Sequence, residues 1–334
     1  MNPPVDNRGD RDYAVKLEKI AEKLREWQGP IVIITHVDPD GDALGSSLAL
    51  KRALDALGKE QVLLPIEAPR FLEFLADDGE LSAPLEVLPE GALLAVLDVA
   101  DEHRAQGAPL EGGSFLINVD HHGTNSRFGD LALVEPSKAA TAQIVKEIVE
   151  ALGVEWTARI ATPCLTGILT DTGNFRYTNT DTESLQAASE LIAAGVDYAF
   201  LADRLQWRHR DYYRMLGMVM STIEFPLDGK VVMAGVTEEM RSTVGDTQDD
   251  SDDYVGLIRY VEGTKVAVFL KERDGHTKIS VRTRDGVSAQ AICLELGGGG
   301  HIAAAGAKVE GPLAVAREKV IAAARRELEF RQEL

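Results

Sequence analysis

Along the first half of the chain, short apolar runs alternate with longer amphipathic stretches. The runs IVIIT at 31–35, VLL at 62–64, ALLAVL at 92–97 and FLINV at 115–119 are each bounded by Gly, Pro or acidic residues. Between and after them, apolar positions recur at helical spacing over 13–27 (Val15, Leu17, Ile20, Leu24, Trp27), 43–57 and 138–152. Gln28-Gly29-Pro30 stops the first of these helices. Short buried runs alternating with amphipathic helices predict an α/β fold with a mostly parallel, doubly wound sheet.

Residues 1–12 read as a disordered tail, and 158–221 as largely helical, with 203–221 a connecting helix or helix pair. After Pro226 and Asp228-Gly229 the pattern changes. Strand-like runs at 230–236, 264–270 and 277–282 sit among helices at 252–261, 288–296 and 313–330, and Asp274-Gly275 between two of the runs signals a hairpin. The pattern predicts a first domain over 13–205, a helical linker over 206–228 and a smaller α/β domain over 229–334.

Charge narrows the possible partners. The 334 residues carry 35 basic and 54 acidic side chains, a formal net charge of −19. Such a chain gains no counterion-release advantage on long duplex nucleic acid. No apolar run approaches the roughly eighteen residues of a membrane span, and the polar N-terminus MNPPVDNRGDRDY has no secretory apolar region. Cys164 and Cys293 lie far apart in apolar segments. They suggest neither a disulfide framework nor a zinc cluster, and they fit a reducing cytoplasm.

The candidate chemistry lies at the ends of the apolar runs. Thr35-His36-Val37-Asp38-Pro39-Asp40-Gly41-Asp42 follows the first; Asp98, with Asp101 and Arg104 beyond it, follows the third; Asp120-His121-His122-Gly123 follows the fourth. A further carboxylate, Asp171, follows the helical run 158–170. In open parallel sheets functional groups gather beyond the carboxyl ends of strands. The bland reading of each cluster is local: Asp42 capping a helix that begins at Ala43, and Asp120 capping a turn. Three such clusters delivered to one sheet edge, with Asp171 as a further carboxylate, outweigh it, because packed carboxylates cannot all stay ionised without a cation among them. A mixed imidazole and carboxylate set suits Mn²⁺, Fe²⁺, Co²⁺ or Zn²⁺ better than Ca²⁺.

In that combination the residues resemble the DHH phosphoesterase superfamily, by His36-x-x-x-Asp40-x-Asp42, Asp98, Asp120-His121-His122 and Asp171. Leu296-Gly297-Gly298-Gly299-Gly300-His301 resembles the glycine-histidine motif of the DHHA1 domain, with Arg282 similar to its substrate-side arginine. In length and order the chain is most similar to the bifunctional oligoribonuclease and pAp phosphatase group. Ile302 departs from the polar residue often found there. The resemblance implies two divalent metal ions, usually manganese. His36, Asp40, Asp98 and Asp171 would hold one, and Asp42, Asp98, His121 and Asp171 the other, with Asp98 and Asp171 bridging. His122 would face the substrate, with Asp120 orienting the imidazoles. A homodimer is the superfamily's usual state.

Two ions about 3.5–4 Å apart activate a bridging water and stabilise both oxygens of an in-line displacement. No Gly-x-Ser-x-Gly elbow surrounds Ser46 or Ser47, which read as packing or capping residues. Gly298, Gly299, Gly300, His301 and Arg282 are the candidate phosphate grip, against the bland reading of a tight crossover packed on Ala303–Ala305. Arg104 and Arg176, each close behind a metal-site Asp, are further candidates for substrate contact, and Arg284 is either next in line or solvated. His103, His209 and His276 read as surface residues, Trp156 and Trp207 as packing residues, and the acidic run Asp246–Asp253 as a solvated loop.

The expected substrates are therefore short oligoribonucleotides and pAp. Within the same chemistry, cyclic dinucleotides or their linear products (c-di-AMP, pApA, pGpG) are the alternative. A non-catalytic nucleotide sensor is the alternative from another class, with the intact metal set against it.

Overall fold

The structure, a computed structural model, describes residues 8–244 and 254–331. Residues 1–7 of the expected tail and the acidic run Asp246–Asp253 lie outside the described residues, whereas residues 8–12, expected in that tail, are helical. The chain forms two compact units, one ending at Trp207 and the other beginning at Arg208.

In the first unit α1 (Arg8–Glu26) leads into β1 (Ile31–His36), α2 (Gly41–Ala56) and β2 (Val62–Leu63). Then come β3 (Leu93–Leu97), β4 (Ala105–Gln106), β5 (Phe115–Asp120) and β6 (Leu131–Val134). The helices α3 (Thr141–Ala151), α4 (Ala158–Asp171), α5 (Thr182–Ala193) and α6 (Tyr198–Arg204) complete it. The sheet order is β2-β1-β3-β5-β6, all parallel, with β4 antiparallel to the end of β1. The order reverses between β1 and β3, so a crevice for functional groups is expected outside their carboxyl ends.

The strands are apolar on both faces because both faces are covered. Ile31, Ile33, Leu93 and Ala95 pack into one cluster with residues of α1–α6. Val32, Ile34, Leu94 and Val96 form another, covered by loop residues such as Leu85, Leu88, Leu110 and Phe128. The pattern missed β6 and the two-residue β4. Elements this short carry too few alternating positions to stand out from a loop.

The second unit contains α7 (Arg210–Met220), β7 (Val231–Val236), α8 (Glu238–Val244) and α9 (Tyr254–Ile258). It continues with β8 (Val266–Arg273), β9 (His276–Thr283), α10 (Ala289–Leu294), β10 (Gly299–Gly300), β11 (Ala304–Glu310) and α11 (Leu313–Phe330). Its sheet, β10-β11-β9-β8-β7, is antiparallel except for the β7–β8 pair. Residues of β7 alternate between two cores, as a strand period of two requires. Val231 and Met233 pack with α10 and α11, whereas Val232, Ala234 and Val236 pack with α7 and α9. Thus α7, read from sequence as a connecting helix, buries Tyr212, Met215 and Val219 in the second unit. β11 lies in AAAGAKVE, for which the pattern predicts no strand. Small residues with one Val give little strand signal until β9 pairs with them. Both cysteines are buried and free.

Candidate active site

The carboxyl end of β1 is fixed by Thr35, whose Oγ1 donates to the Leu97 carbonyl at the end of β3 (3.0 Å). His36 follows, with Nδ1 2.8 Å from the Val37 carbonyl. Since a carbonyl only accepts, Nδ1 carries the proton and Nε2 is turned toward the carboxylates. Asp40 is the N-cap of α2, its Oδ1 accepting the N–H groups of Asp42 (3.0 Å) and Ala43 (3.1 Å). The local capping reading therefore belongs to Asp40.

Asp42 points elsewhere. Fully buried, it accepts the Thr141 N–H at Oδ2 (2.6 Å) and the Ala142 N–H at Oδ1 (2.8 Å). Ala140, at the cap position of α3, has no side chain for these donors. Asp42 supplies the cap from another element, a hundred residues away in sequence for Ala142.

Asp98 stands just beyond β3 in the left-handed region, at φ 61°, with its N–H on the Val119 carbonyl (2.9 Å). For a non-glycine residue this is uncommon backbone, of the kind found where a side chain must be aimed. The two oxygens of this nearly buried carboxylate face different neighbours. Oδ2 lies 3.6 Å from His36 Nε2, which is itself 3.9 Å from Asp40 Oδ1. Oδ1 lies 3.7 Å from His121 Nε2, which is 3.2 Å from Asp171 Oδ2 and 4.0 Å from Asp42 Oδ2. His121 Nδ1 is 3.3 Å from the Lys138 carbonyl, so its Nε2 also faces the acids. Asp171 ends α4, and its carbonyl is held by the Asn179 amide (3.1 Å).

His122 is held differently. Its Nδ1 lies 2.7 Å from Oδ1 of the fully buried Asp120, whose other oxygen accepts from the Asn125 amide (2.6 Å). Asn125 also donates to the Val99 carbonyl (2.9 Å) and the Asn118 side chain (3.0 Å). Asp120 additionally accepts the His122 N–H (3.2 Å), so the turn-capping role and the orienting role coexist in one carboxylate.

The electrostatics follow from crowding. Burial, then repulsion from Asp98 and other carboxylates, pushes Asp42 well above the usual carboxylate range. Burial, then Asp40 and Asp98, does the same to Asp171. Burial resists charge on His36, but the nearby carboxylates of Asp40 and Asp98 overcome it and push its pKa up to about 10. Burial also opposes the charge on Asp40, yet His36 and two backbone donors bring its carboxyl below the usual range. The hydrogen bond that His122 donates to Asp120 raises the pKa of His122, whereas burial lowers that of His121. Acids and imidazoles this close, with two Nε2 atoms aimed inward by backbone carbonyls, fit a divalent cation. Three groups meet the distance requirement for holding an ion: His36, Asp40 and Asp98; Asp42, His121 and Asp171; and Asp98, His121 and His122.

Around this centre, Arg104 is exposed, and its carbonyl accepts from Val37 N–H (2.9 Å), which sets it beside the His36–Asp40 loop. Arg176, also exposed, donates from Nε to the Gly173 carbonyl (2.7 Å). Ser46 and Ser47 are buried in α2. Trp207, expected in packing, is instead 55% exposed and donates to Asp203 (2.8 Å). Sequence reading missed Thr141, Asn125, Asn179 and Gly167. A Cβ at Gly167 would lie 2.6 Å from Asp42 Oδ1 and from Ala142 Cβ. Asn125, three residues beyond His122, was open to notice; the others are polar or small residues in helices and turns whose partners are far off in sequence.

In the second unit Arg282 on β9 pairs in register with Ala304, and His301 closes the β10–β11 turn by bonding Ala304 in both directions. Arg282 donates to the Val281 carbonyl (3.1 Å). Gly298 and Gly300 have a packing reason to be glycine. Their Cβ atoms would strike the β11 backbone at Gly306 and Ala305, and Gly300 has φ 135°. Gly299 meets no such obstacle. The N–H groups of Gly297, Gly298 and His301 bond within the chain. Gly299 and Gly300 pair with Gly306 and Ala305 of β11, so the glycines build the turn, and the candidate phosphate donors there are the side chains of His301 and Arg282.

The N-terminal domain of the DHH family matches residues 30–168, and the DHHA1 domain matches residues 228–329. The bifunctional oligoribonuclease and PAP phosphatase NrnA of Thermus thermophilus is 55% identical over 323 residues, covering 96% of this chain and 97% of that protein. The chain belongs to the DHH family. A cyclic-di-AMP phosphodiesterase, GdpP of Geobacillus thermodenitrificans, is 27% identical, with 91% of this chain matching 48% of that longer protein. Among solved structures, an exopolyphosphatase-related protein from Bacteroides fragilis has the same fold, with a TM-score of 0.82, 21% identity and coverage of 94% and 96% of the two chains. In this chain the DHH match spans the parallel sheet that carries the acidic site, and the DHHA1 match spans the smaller mixed sheet that carries the glycine-histidine turn.

Proposed function

We propose that this chain is a metal-dependent phosphoester hydrolase that degrades short oligoribonucleotides to mononucleotides and converts pAp to AMP. One observation carries the reading. Asp98 offers opposite oxygens to two separate imidazole–carboxylate groups, the arrangement a bridging ligand between two cations needs. The similarity to NrnA along nearly the whole chain supports the substrate class.

The residues assigned to the ions, manganese in this proposal, are His36, Asp40, Asp98 and Asp171 for one and Asp42, Asp98, His121 and Asp171 for the other. When bound, such ions stabilise charge on the phosphoryl oxygens and make water nucleophilic near neutral pH. The protein's own side chains do the rest. Asp120 fixes the ring of His122 through Nδ1, and the imidazole is assigned to the phosphate or leaving oxygen. Arg282 and His301 hold a substrate phosphate by charge-assisted hydrogen bonds, with the glycines 298–300 shaping the turn that carries His301. Arg104 and Arg176 are assigned to neighbouring phosphates.

Action in the cytoplasm as a homodimer is part of the same proposal, the second checked by sedimentation equilibrium. No helix among the described residues is long and apolar enough to cross a membrane.

The test compares rates on pAp, dinucleotide to pentanucleotide RNA, pGpG, pApA and c-di-AMP with Mn²⁺ present and Asp98→Ala as control. Release of mononucleotides from the short RNAs and AMP from pAp, abolished in the variant, is expected. Faster turnover of c-di-AMP would favour the cyclic-dinucleotide reading, which the 27% identity to GdpP over 91% of this chain keeps in view. Binding without cleavage under several metals would favour a sensor.

A further inference from the structure

We propose that Thr141 is a positioning residue: its hydroxyl holds the Asp98 carboxylate in the one rotation that gives an oxygen to each of two ions. It thereby sets the metal stoichiometry. The inference rests on the two-ion reading above and adds a residue outside the acid and imidazole motifs.

The main chain of Asp98 is already fixed by its position at the end of β3 and by its N–H on Val119. What remains free in principle is rotation of the carboxylate. Thr141 Oγ1 donates to Asp98 Oδ1 at 2.9 Å, the shortest polar contact of that carboxylate among the described residues. The nearest imidazole atoms lie farther off, at 3.5 Å (His122), 3.6 Å (His36) and 3.7 Å (His121). At these separations they do not make hydrogen bonds that fix the plane. His122 Nδ1 is committed to Asp120 at 2.7 Å.

Thr141 is itself well held. It is fully buried, it opens α3, and its N–H is bonded to Asp42. Its branched side chain has few rotamers in a helix. The hydroxyl is a neutral donor, so it orients the carboxylate without placing a second positive charge where a cation must sit. With the hydroxyl removed, Asp98 can turn both oxygens toward one imidazole group and serve a single ion, leaving the other a ligand short.

Thr141→Val keeps the shape and the N–H bond to Asp42 and deletes only the donor; Thr141→Ser restores it. The experiment titrates metal-depleted full-length protein with MnCl₂ by calorimetry and counts bound manganese by mass spectrometry, with thermal melts alongside. Wild type and Thr141→Ser should bind two ions. Thr141→Val should bind one near wild-type affinity and the second roughly 10- to 100-fold more weakly, the usual effect of losing a hydrogen-bonding partner behind a ligand. If Val does not fold, Thr141→Ala is compared with Ser in the same way.

Two ions at wild-type affinity in a folded Thr141→Val or Thr141→Ala protein would overturn the proposal, as would equal weakening of both ions not restored by Ser. Fewer than two ions in wild type would instead remove the two-ion reading on which the proposal stands.

Discussion

His122 Nδ1 sits 2.7 Å from Oδ1 of Asp120, and Asp120 is a carboxylate with no exposure to solvent. A buried acid locked by Asn125 on one oxygen and by His122 on the other sets both the proton position and the ring plane of that imidazole. In the proposed reaction His122 serves as proton donor or phosphate partner. His122→Ala should lower kcat on pAp by about 10²-fold or more, the range for loss of a positioned acid or base. Manganese content should stay at the wild-type value. Loss of bound metal in this variant would show that His122 acts chiefly as a ligand.

Gly167 is a steric requirement of Asp42. A methyl group there meets Asp42 Oδ1 and Ala142 Cβ, both at 2.6 Å, so α2, α3 and α4 cannot keep their spacing. Gly167→Ala should destabilise the folded chain by about 1–3 kcal/mol, as overpacking does. It should also weaken manganese binding, because Asp42 carries the displacement. A thermal melt and a metal titration on the same variant check both; an unchanged melting temperature would contradict the packing argument.

Stability and metal binding should both depend on pH. Asp42 and Asp171 have folded-state pKa values raised above the ordinary 3.8, so above that value the folded chain holds more protons than the unfolded one. Stability then falls as pH rises through the raised values. Protonated His36 contributes stability fully below its ordinary 6.5, and that contribution disappears as pH rises through about 10. A divalent cation replaces these protons, so its stabilising effect should grow with pH. Melting temperatures with and without Mn²⁺, from about pH 5 to about pH 9, should diverge; a constant gap would mean that the cation binds elsewhere.

Substrate grip and chemistry should separate. Arg282→Ala and His301→Ala remove side chains assigned to a phosphate and leave the acidic centre intact. Hydrogen bonds to charged groups contribute about 1.5–3 kcal/mol. KM on short RNA should therefore rise roughly 10- to 100-fold for each, with kcat changed far less. Steady-state kinetics on a dinucleotide give both constants. A fall in kcat at unchanged KM would reassign these residues to the reacting centre.

Much of the first unit was legible before folding. The runs at 31–35, 92–97 and 115–119 correspond to β1, β3 and β5, and their polar ends gave His36, Asp98 and Asp120-His121-His122. Long helices such as α11 were legible too, since 18 residues repeat an apolar face several times. Short elements and strands of small residues were not. β10 and β11 are built from Gly and Ala whose place is set by partners, not by their own preference.

The division has a physical origin. Periodicity and chain breakers are properties of neighbouring residues, so the sequence by itself determined the long helices, the strands β1, β3 and β5, and which acids and imidazoles stand at their ends. Tertiary structure decided what each of those groups faces. It turned Asp42 from its own helix toward the first turn of α3, a hundred residues onward at Ala142. It also brought the Thr141 hydroxyl onto Asp98 and required glycine at 167. Such relationships depend on how packed helices and strands are spaced, and nothing in the local pattern of either partner encodes that distance.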